Sequence, residues 1–157
     1  MNFFIYTLGC KVNQYESEFI ASLLEKKGFV RKSDFNADII IINSCTVTST
    51  GDNKVCKYLR RARRENPDSV IALTGCMTQA FPDEDYSEAD IILGNYSRKQ
   101  TIEAIESFLI NHEKIVDIKP HMEKRGESFE EMHIEKYDER TREYVKIEDG
   151  CNRFCSY

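Results

Sequence analysis

Six cysteines hold the chemical interest of this 157-residue chain. Three of them end short apolar runs: Leu8-Gly9-Cys10, Asn43-Ser44-Cys45 and Thr74-Gly75-Cys76. Cys151 and Cys155 stand near the last residue, three residues apart, and are reached through Asp149-Gly150. Cys56 falls inside a helical pattern and fits neither group. A thiolate is a nucleophile, half of a disulfide or a soft metal ligand. A disulfide framework is disfavoured, because the chain is long and regular enough to need no staples. Met1 to Cys10 ends like a lipoprotein signal, but it lacks a basic start and its apolar run is too short. Zinc favours Cys-x2-Cys pairs and a fourth protein ligand, and the sequence has no such pair. Three thiolates without a near fourth suit a 4Fe–4S cluster that keeps one iron open. The bland alternative is three buried cysteines that merely prefer apolar surroundings.

The elements that must position these thiols follow from hydrophobic pattern. Strands are predicted over Asn2–Leu8, Phe29–Arg31, Asp38–Asn43, Ser69–Thr74, Ile91–Leu93 and Ile115–Ile118. The Ile39-Ile40-Ile41-Ile42 run is continuous, as in a strand buried on both faces of a parallel sheet. Helices are predicted over Gln14–Lys27, stopped by Gly28, over Gly51–Glu65, broken by Asn66-Pro67-Asp68, and over Lys99–Asn111. Strands alternating with helices imply right-handed crossovers. The expected fold class is α/β, flavodoxin-like, a parallel sheet with helices on both faces. In the order 2-1-3-4-5, Cys10, Cys45 and Cys76 end three neighbouring strands. Strands lie ~4.8 Å apart, so thiols on three successive loops converge on one edge.

This domain is expected to span residues 1–118. From 119 to 143 charges crowd in and periodicity fades, which reads as a mobile linker. Tyr144-Val145-Lys146-Ile147 alternates like a strand and opens a further segment, 144–157, that delivers Cys151. At 41% hydrophobic the chain can bury one good core and a small appendage. A net charge of −5 excludes a surface that attracts phosphates everywhere. No stretch approaches the ~20 apolar residues of a membrane span, so no membrane partner is expected and the localisation reads as cytoplasmic.

The motifs together carry a resemblance. Thr7-Leu8-Gly9-Cys10-Lys11-Val12-Asn13-Gln14-Tyr15-Glu16-Ser17, Asn43-Ser44-Cys45-Thr46-Val47-Thr48, Thr74-Gly75-Cys76-Met77-Thr78-Gln79 and Asp149-Gly150-Cys151-Asn152-Arg153-Phe154-Cys155 resemble the radical-SAM methylthiotransferases in order and spacing. The run from Lys11 to Ser17 is similar to the branch that methylthiolates threonylcarbamoyl-adenosine in tRNA, rather than the isopentenyl-adenosine or ribosomal-protein branches. Ser44 and Met77-Thr78 depart from the commoner residues of the family without removing a cysteine.

The resemblance implies that Cys10, Cys45 and Cys76 hold an auxiliary, sulfur-donating 4Fe–4S cluster. It implies that Cys151 and Cys155 open a Cys-x3-Cys-x2-Cys loop for a second 4Fe–4S cluster that binds S-adenosyl-L-methionine. The third cysteine of that loop, a radical-SAM barrel and a C-terminal RNA-binding domain would lie beyond Tyr157, so the fragment alone should be inactive. A radical made from S-adenosyl-L-methionine would abstract hydrogen from an aromatic carbon of the tRNA nucleoside. The implied partners are tRNA and an electron donor such as flavodoxin or ferredoxin.

One basic run, Lys54, Lys57, Arg60, Arg61, Arg63 and Arg64, lies along the second helix. It reads as a solvated face, or as a minor tRNA contact through Lys57, Arg60, Arg61 and Arg64. Tyr58 alone is too little for a stacking platform. Rival functions are weaker. A phosphate receiver needs acidic residues where Cys10 and Asn43-Ser44-Cys45 stand, and a nucleotide fold needs a glycine-rich loop that is absent. The alternatives are a non-catalytic iron–sulfur carrier or redox module, or a methylthiotransferase of the isopentenyl-adenosine or ribosomal-protein branch.

Overall fold

The structure is a computed structural model that describes residues 1–46, 49–95, 98–119, 132–134, 144, 146 and 147. Six parallel strands form one sheet: β1 (Asn2–Thr7), β2 (Val30–Arg31), β3 (Ile39–Ser44), β4 (Val70–Gly75), β5 (Ile91–Leu93) and β6 (Ile115–Asp117). Their order is β2-β1-β3-β4-β5-β6. The helices are α1 (Lys11–Lys26), α2 (Ser49–Glu65), α3 (Cys76–Ala80) and α4 (Arg98–Asn111).

The isoleucine run forms β3, and period two divides it between two cores. Ile39 and Ile41 join Phe3, Ile20, Leu24, Ile102 and Ile105 beneath α1 and α4. Ile40 and Ile42 join Val55, Leu59, Leu73 and Met77 beneath α2 and α3. All four isoleucines are fully buried. At about 1.5–3 kcal/mol each, they contribute roughly 6–12 kcal/mol of gross burial, which makes β3 the anchor of the sheet. Both neighbours pair with β3 in register, Phe3 opposite Ile39 and Ile39 opposite Val70. The fold class read from the sequence is therefore the one found.

Beyond shifts of one or two residues at other ends, three elements differ from expectation. Helix α1 begins at Lys11 rather than Gln14, because Cys10 serves as its N-cap and Asn13 bonds back to the Cys10 amide. Sequence pattern shows no Ser, Thr or Asp there to announce a cap. Helix α3 was not foreseen. Cys76 opens a short helix directly from β4 rather than lying in an open loop. The strand expected over 144–147 is not found: Tyr144, Lys146 and Ile147 belong to no strand, and Val145 lies outside the described residues.

The expected linker also behaves differently where it is described. Met132 is buried with Tyr15 and Phe19, and Ile134 and Tyr144 pack against that cluster. The Tyr15 hydroxyl donates to the Met132 carbonyl at 2.7 Å. Lys11 lies over the Tyr144 ring, 5.3 Å from its centroid. These residues are tied to α1 by apolar contact, a buried hydrogen bond and a cation–π contact, which offset the polarity of the surrounding sequence.

Candidate cluster-binding site at the carboxyl edge of the sheet

The strand order reverses between β1 and β3, and ligands of such sheets lie at the carboxyl ends of the strands beside that switch point. Cys10 follows β1, Cys45 follows β3 and Cys76 follows β4. Cys10 and Cys45 thus flank the switch point, with Cys76 one strand further along. Cys10 is exposed, Cys76 half-buried and Cys45 buried. No disulfide joins any of the described cysteines.

Two glycines make the convergence possible. Gly9 has φ +126° and Gly75 has φ +111°, both in the region that favours glycine. A Cβ on Gly9 would meet the Cys45 Cβ and the Asn13 Oδ1, each at 2.5 Å. A Cβ on Gly75 would meet the Ser44 carbonyl at 2.4 Å and the Asn43 Oδ1 at 2.7 Å. The chain before Cys10 therefore runs directly over Cys45, and the chain before Cys76 runs against the end of β3.

Beneath the thiols lies a layer of buried amides. Asn13 Oδ1 accepts from both the amide and the thiol of Cys10 at 3.2 Å. Asn13 Nδ2 donates to the Ser44 carbonyl at 3.1 Å and to Asn43 Oδ1 at 3.3 Å. Asn43 Nδ2 returns bonds to the Asn13 carbonyl and to Ser17 Oγ, both at 3.0 Å. Ser44 Oγ donates to the Thr74 carbonyl and accepts from the Met77 amide. On the far side, Asn95 Nδ2 reaches the Cys76 sulfur at 3.7 Å. Neutral amides at these distances fix the loops without putting a competing cation or carboxylate among the sulfurs.

Burial pushes the Cys76 thiol up from its usual range, and the charges of Cys45, Glu16 and Cys10 push the same way. The hydrogen bond from Asn13 opposes them. Cys45 and Cys10 therefore both lie within Coulombic reach of Cys76. Among the described residues, no three of His, Cys, Asp and Glu are placed to hold a single metal ion. By donor chemistry alone, three thiols with no fourth cysteine at this edge among the described residues suit a cluster that keeps one iron open better than zinc, which takes a fourth protein ligand. Gly9 and Gly75 leave no room for a side chain where these loops pass the end of β3.

Cys151 and Cys155 lie outside the described residues. Cys56 sits on α2, against the core beneath it and away from the other thiols. The basic run of α2 is placed unfavourably for this edge. Helix α2 starts at the carboxyl edge, so Arg60 to Arg64 lie roughly 16–23 Å along it, toward the amino edge. Arg61 bonds Glu65 at 3.0 Å and lies over Phe35, while Arg60 and Arg64 pair with Glu88 and Glu65. Arg63 bonds the carbonyls of Glu88, Pro67 and Ser69 and the carboxylate of Asp90. Tyr58 packs on Tyr6, ring centroids 3.9 Å apart. Lys54 and Lys57 are exposed. A cleft of about 610 Å³, lined by Asp38, Arg63 and Asp90 among others, also opens on that opposite edge.

Sequence reasoning gave no role to Asn13, Asn43 or Asn95, nor to a buried ionic group beside them. Glu16 on α1 pairs with Arg98 at the start of α4, and its Oε1 lies 3.0 Å from Lys146 Nζ. All three side chains are at least 95% buried. Glu16 followed by Ser17 was the one available signal, a charge where the helical pattern turns inward.

Among the described residues no helix is long and apolar enough to cross a membrane. The profile of the family described as Uncharacterized protein family UPF0004 matches residues 2–94. The chain is 40% identical over 156 residues to threonylcarbamoyladenosine tRNA methylthiotransferase MtaB of Bacillus subtilis, covering 97% of this chain and 34% of that protein. It is 41% identical over 154 residues to the protein of the same name from Thermotoga maritima, covering 98% and 34%. It is 34% identical over 165 residues to tRNA-2-methylthio-N(6)-dimethylallyladenosine synthase of Carboxydothermus hydrogenoformans, covering 99% and 37%. The chain thus spans about a third of the length of these relatives. A profile match over more than half of the chain, on a sheet whose three motif cysteines meet at one edge, establishes that it belongs to the family described as Uncharacterized protein family UPF0004 and is homologous over nearly its whole length to tRNA methylthiotransferases.

Proposed function

We propose that this chain is the cluster-bearing part of a tRNA methylthiotransferase, with Cys10, Cys45 and Cys76 holding an auxiliary 4Fe–4S cluster. The observation that carries this reading is the placement of three thiols on consecutive loops flanking the switch point, over a floor of neutral amides. When bound, the cluster supplies sulfur for methylthio transfer through an iron that no protein thiol occupies.

The chain's own residues do the positioning. Gly9 and Gly75 bring the backbones together, Asn13 and Asn43 lock the loop after β1 to the end of β3, and Asn95 donates toward the Cys76 sulfur. The buried side of Cys45 keeps water from one face of the site, while exposed Cys10 leaves the opposite face open to a substrate. Residues 1–118 form this unit, 119–143 connect it, and 144–157 begin the next, where Cys151 and Cys155 are the first ligands of a cluster for S-adenosyl-L-methionine. The substrate is threonylcarbamoyl-adenosine in tRNA. Relatives named for it match at 40, 41 and 32%, and relatives named for the dimethylallyl nucleoside at 34 and 36%, so the two highest identities support the first. The protein works in the cytoplasm with a flavodoxin- or ferredoxin-like electron donor, and residues 1–157 alone do not carry out the transfer.

Anaerobic reconstitution tests the site directly. The chain with Cys151 and Cys155 replaced by Ala should take up close to four iron and four sulfide ions. Cys10→Ala, Cys45→Ala and Cys76→Ala should each lose them, and Cys56→Ala should keep them. Stoichiometric zinc in a colourless protein would overturn the cluster. Substrate is tested by carrying Cys45→Ala into the whole gene and digesting cellular tRNA to nucleosides. Methylthio should vanish from threonylcarbamoyl-adenosine alone, and its loss from the dimethylallyl nucleoside instead would reassign the branch.

A further inference from the structure

The ionic group beside the thiols is unusual in composition. Glu16, Arg98 and Lys146 are buried together, two cations on one carboxylate, with Oε1 contacting both. A cluster held by three thiolates would carry a net negative charge, so buried cations and a carboxylate beside it act on it in opposite directions. The connection is physical as well as Coulombic. Arg98 also donates to Asn95 Oδ1, and Asn95 turns its Nδ2 toward the Cys76 sulfur at 3.7 Å. An unbroken path of contacts therefore runs from Lys146 through Glu16, Arg98 and Asn95 to Cys76.

We propose that this path is a tuning relay: Arg98 and Lys146 raise the electron affinity of the group held at Cys76, Glu16 moderates them, and Asn95 delivers the effect as a hydrogen bond to sulfur. Hydrogen bonds to cluster sulfurs and nearby charge are the protein's main levers on an iron–sulfur potential. The inference rests on the cluster reading above. It adds that Lys146, which sits 130 residues from Glu16 in sequence, reports to the Cys76 edge whether the downstream segment is seated. Lys146 precedes Cys151 by five residues, so at most ~18 Å of chain separates the relay from the second pair of cysteines. These are positioning residues, not catalytic ones.

The test is a dithionite titration of the reconstituted chain, in the background with Cys151 and Cys155 replaced by Ala so that one cluster reports. Dithionite supplies the single electron, and the reduced spin signal gives the midpoint potential. Lys146→Met should lower the midpoint, so that the reduced-to-oxidised ratio at a fixed potential falls about tenfold, a shift of ~59 mV. Glu16→Gln should raise it. The double variant should return close to the parent, since it removes one positive and one negative charge together. Circular dichroism identifies a variant that fails to fold, and the double variant still reports in that case. Single shifts in the same direction, no shift, or a double variant that does not recover would overturn the relay. A parent chain that binds no iron and sulfide would overturn the cluster reading itself, and the relay with it.

Discussion

The two edges of this sheet are built from the same strands yet solve opposite problems. At the amino edge, Arg63 bonds three backbone carbonyls and Asp90, and Asp90 also accepts from the Ile71 amide. Arg60, Arg61 and Arg64 face carboxylates nearby. Charge there is locally neutralised and closes the ends of the strands. At the carboxyl edge, amides and glycines hold the loops, and the sulfurs have no carboxylate or cation bonded to them among the described contacts. Among the described residues, the Glu16–Arg98–Lys146 group stands behind the amides and is linked to the Cys76 sulfur by the Asn95 hydrogen bond. An edge tied off by ion pairs makes a stable end, whereas an edge tied off by neutral groups leaves its ligands available.

That contrast can be broken most forcefully at Gly75. Gly75→Ala combines a positive φ with contacts of 2.4–2.7 Å to the end of β3. It should cost about 3–5 kcal/mol in chemical denaturation and abolish iron uptake. Retention of both would mean that the close approach does not hold the site.

Asn43→Leu comes next. It removes two donated bonds and strands the Asn13 amide in a buried site. A loss of about 2–3 kcal/mol is expected, with lowered iron content although all three cysteines remain. Full iron content in this variant would reduce the amide floor to a purely structural element.

Arg63→Ala probes the other edge. It should cost about 2 kcal/mol and leave iron uptake unchanged, because its bonds lie at the opposite ends of the strands. Parallel loss of iron would show that the edges are not independent.

The smallest effect is expected from reversing Arg60, Arg61 and Arg64 to Glu together. The cost should be about 1 kcal/mol, from new like-charge pairs with Glu65 and Glu88. In the whole protein, tRNA affinity and its salt dependence should hardly move. A marked drop in both would return the basic face of α2 to the list of tRNA contacts.

Much of this was legible because local pattern and tertiary demand agree. Ile39 to Ile42 announces a strand buried on both faces, and a cysteine directly after such a strand must lie at its carboxyl edge. The same logic of a cysteine after a strand puts Cys10, Cys45 and Cys76 at that edge, where the structure has them. Other features were hidden for definite reasons. Helix α3 has five residues, too few for a period to show. Cys10 caps α1 with a thiol where pattern expects an oxygen. Glu16, Arg98 and Lys146 each read as an ordinary surface charge, and only the fold brings three such distant residues into one buried contact.

The sheet order also sets a schedule. Because β1, β3 and β4 are neighbours, the three thiols belong to a unit that is complete once α3 has been made. Lys146 is added roughly 3–13 s later at ~5–20 residues per second. The cysteines are thus synthesised well before the lysine that is to sit behind them. Once α4 has been made, Glu16 and Arg98 wait as a pair for that lysine, and a scavenger of iron and sulfide meets the site in its unlatched form.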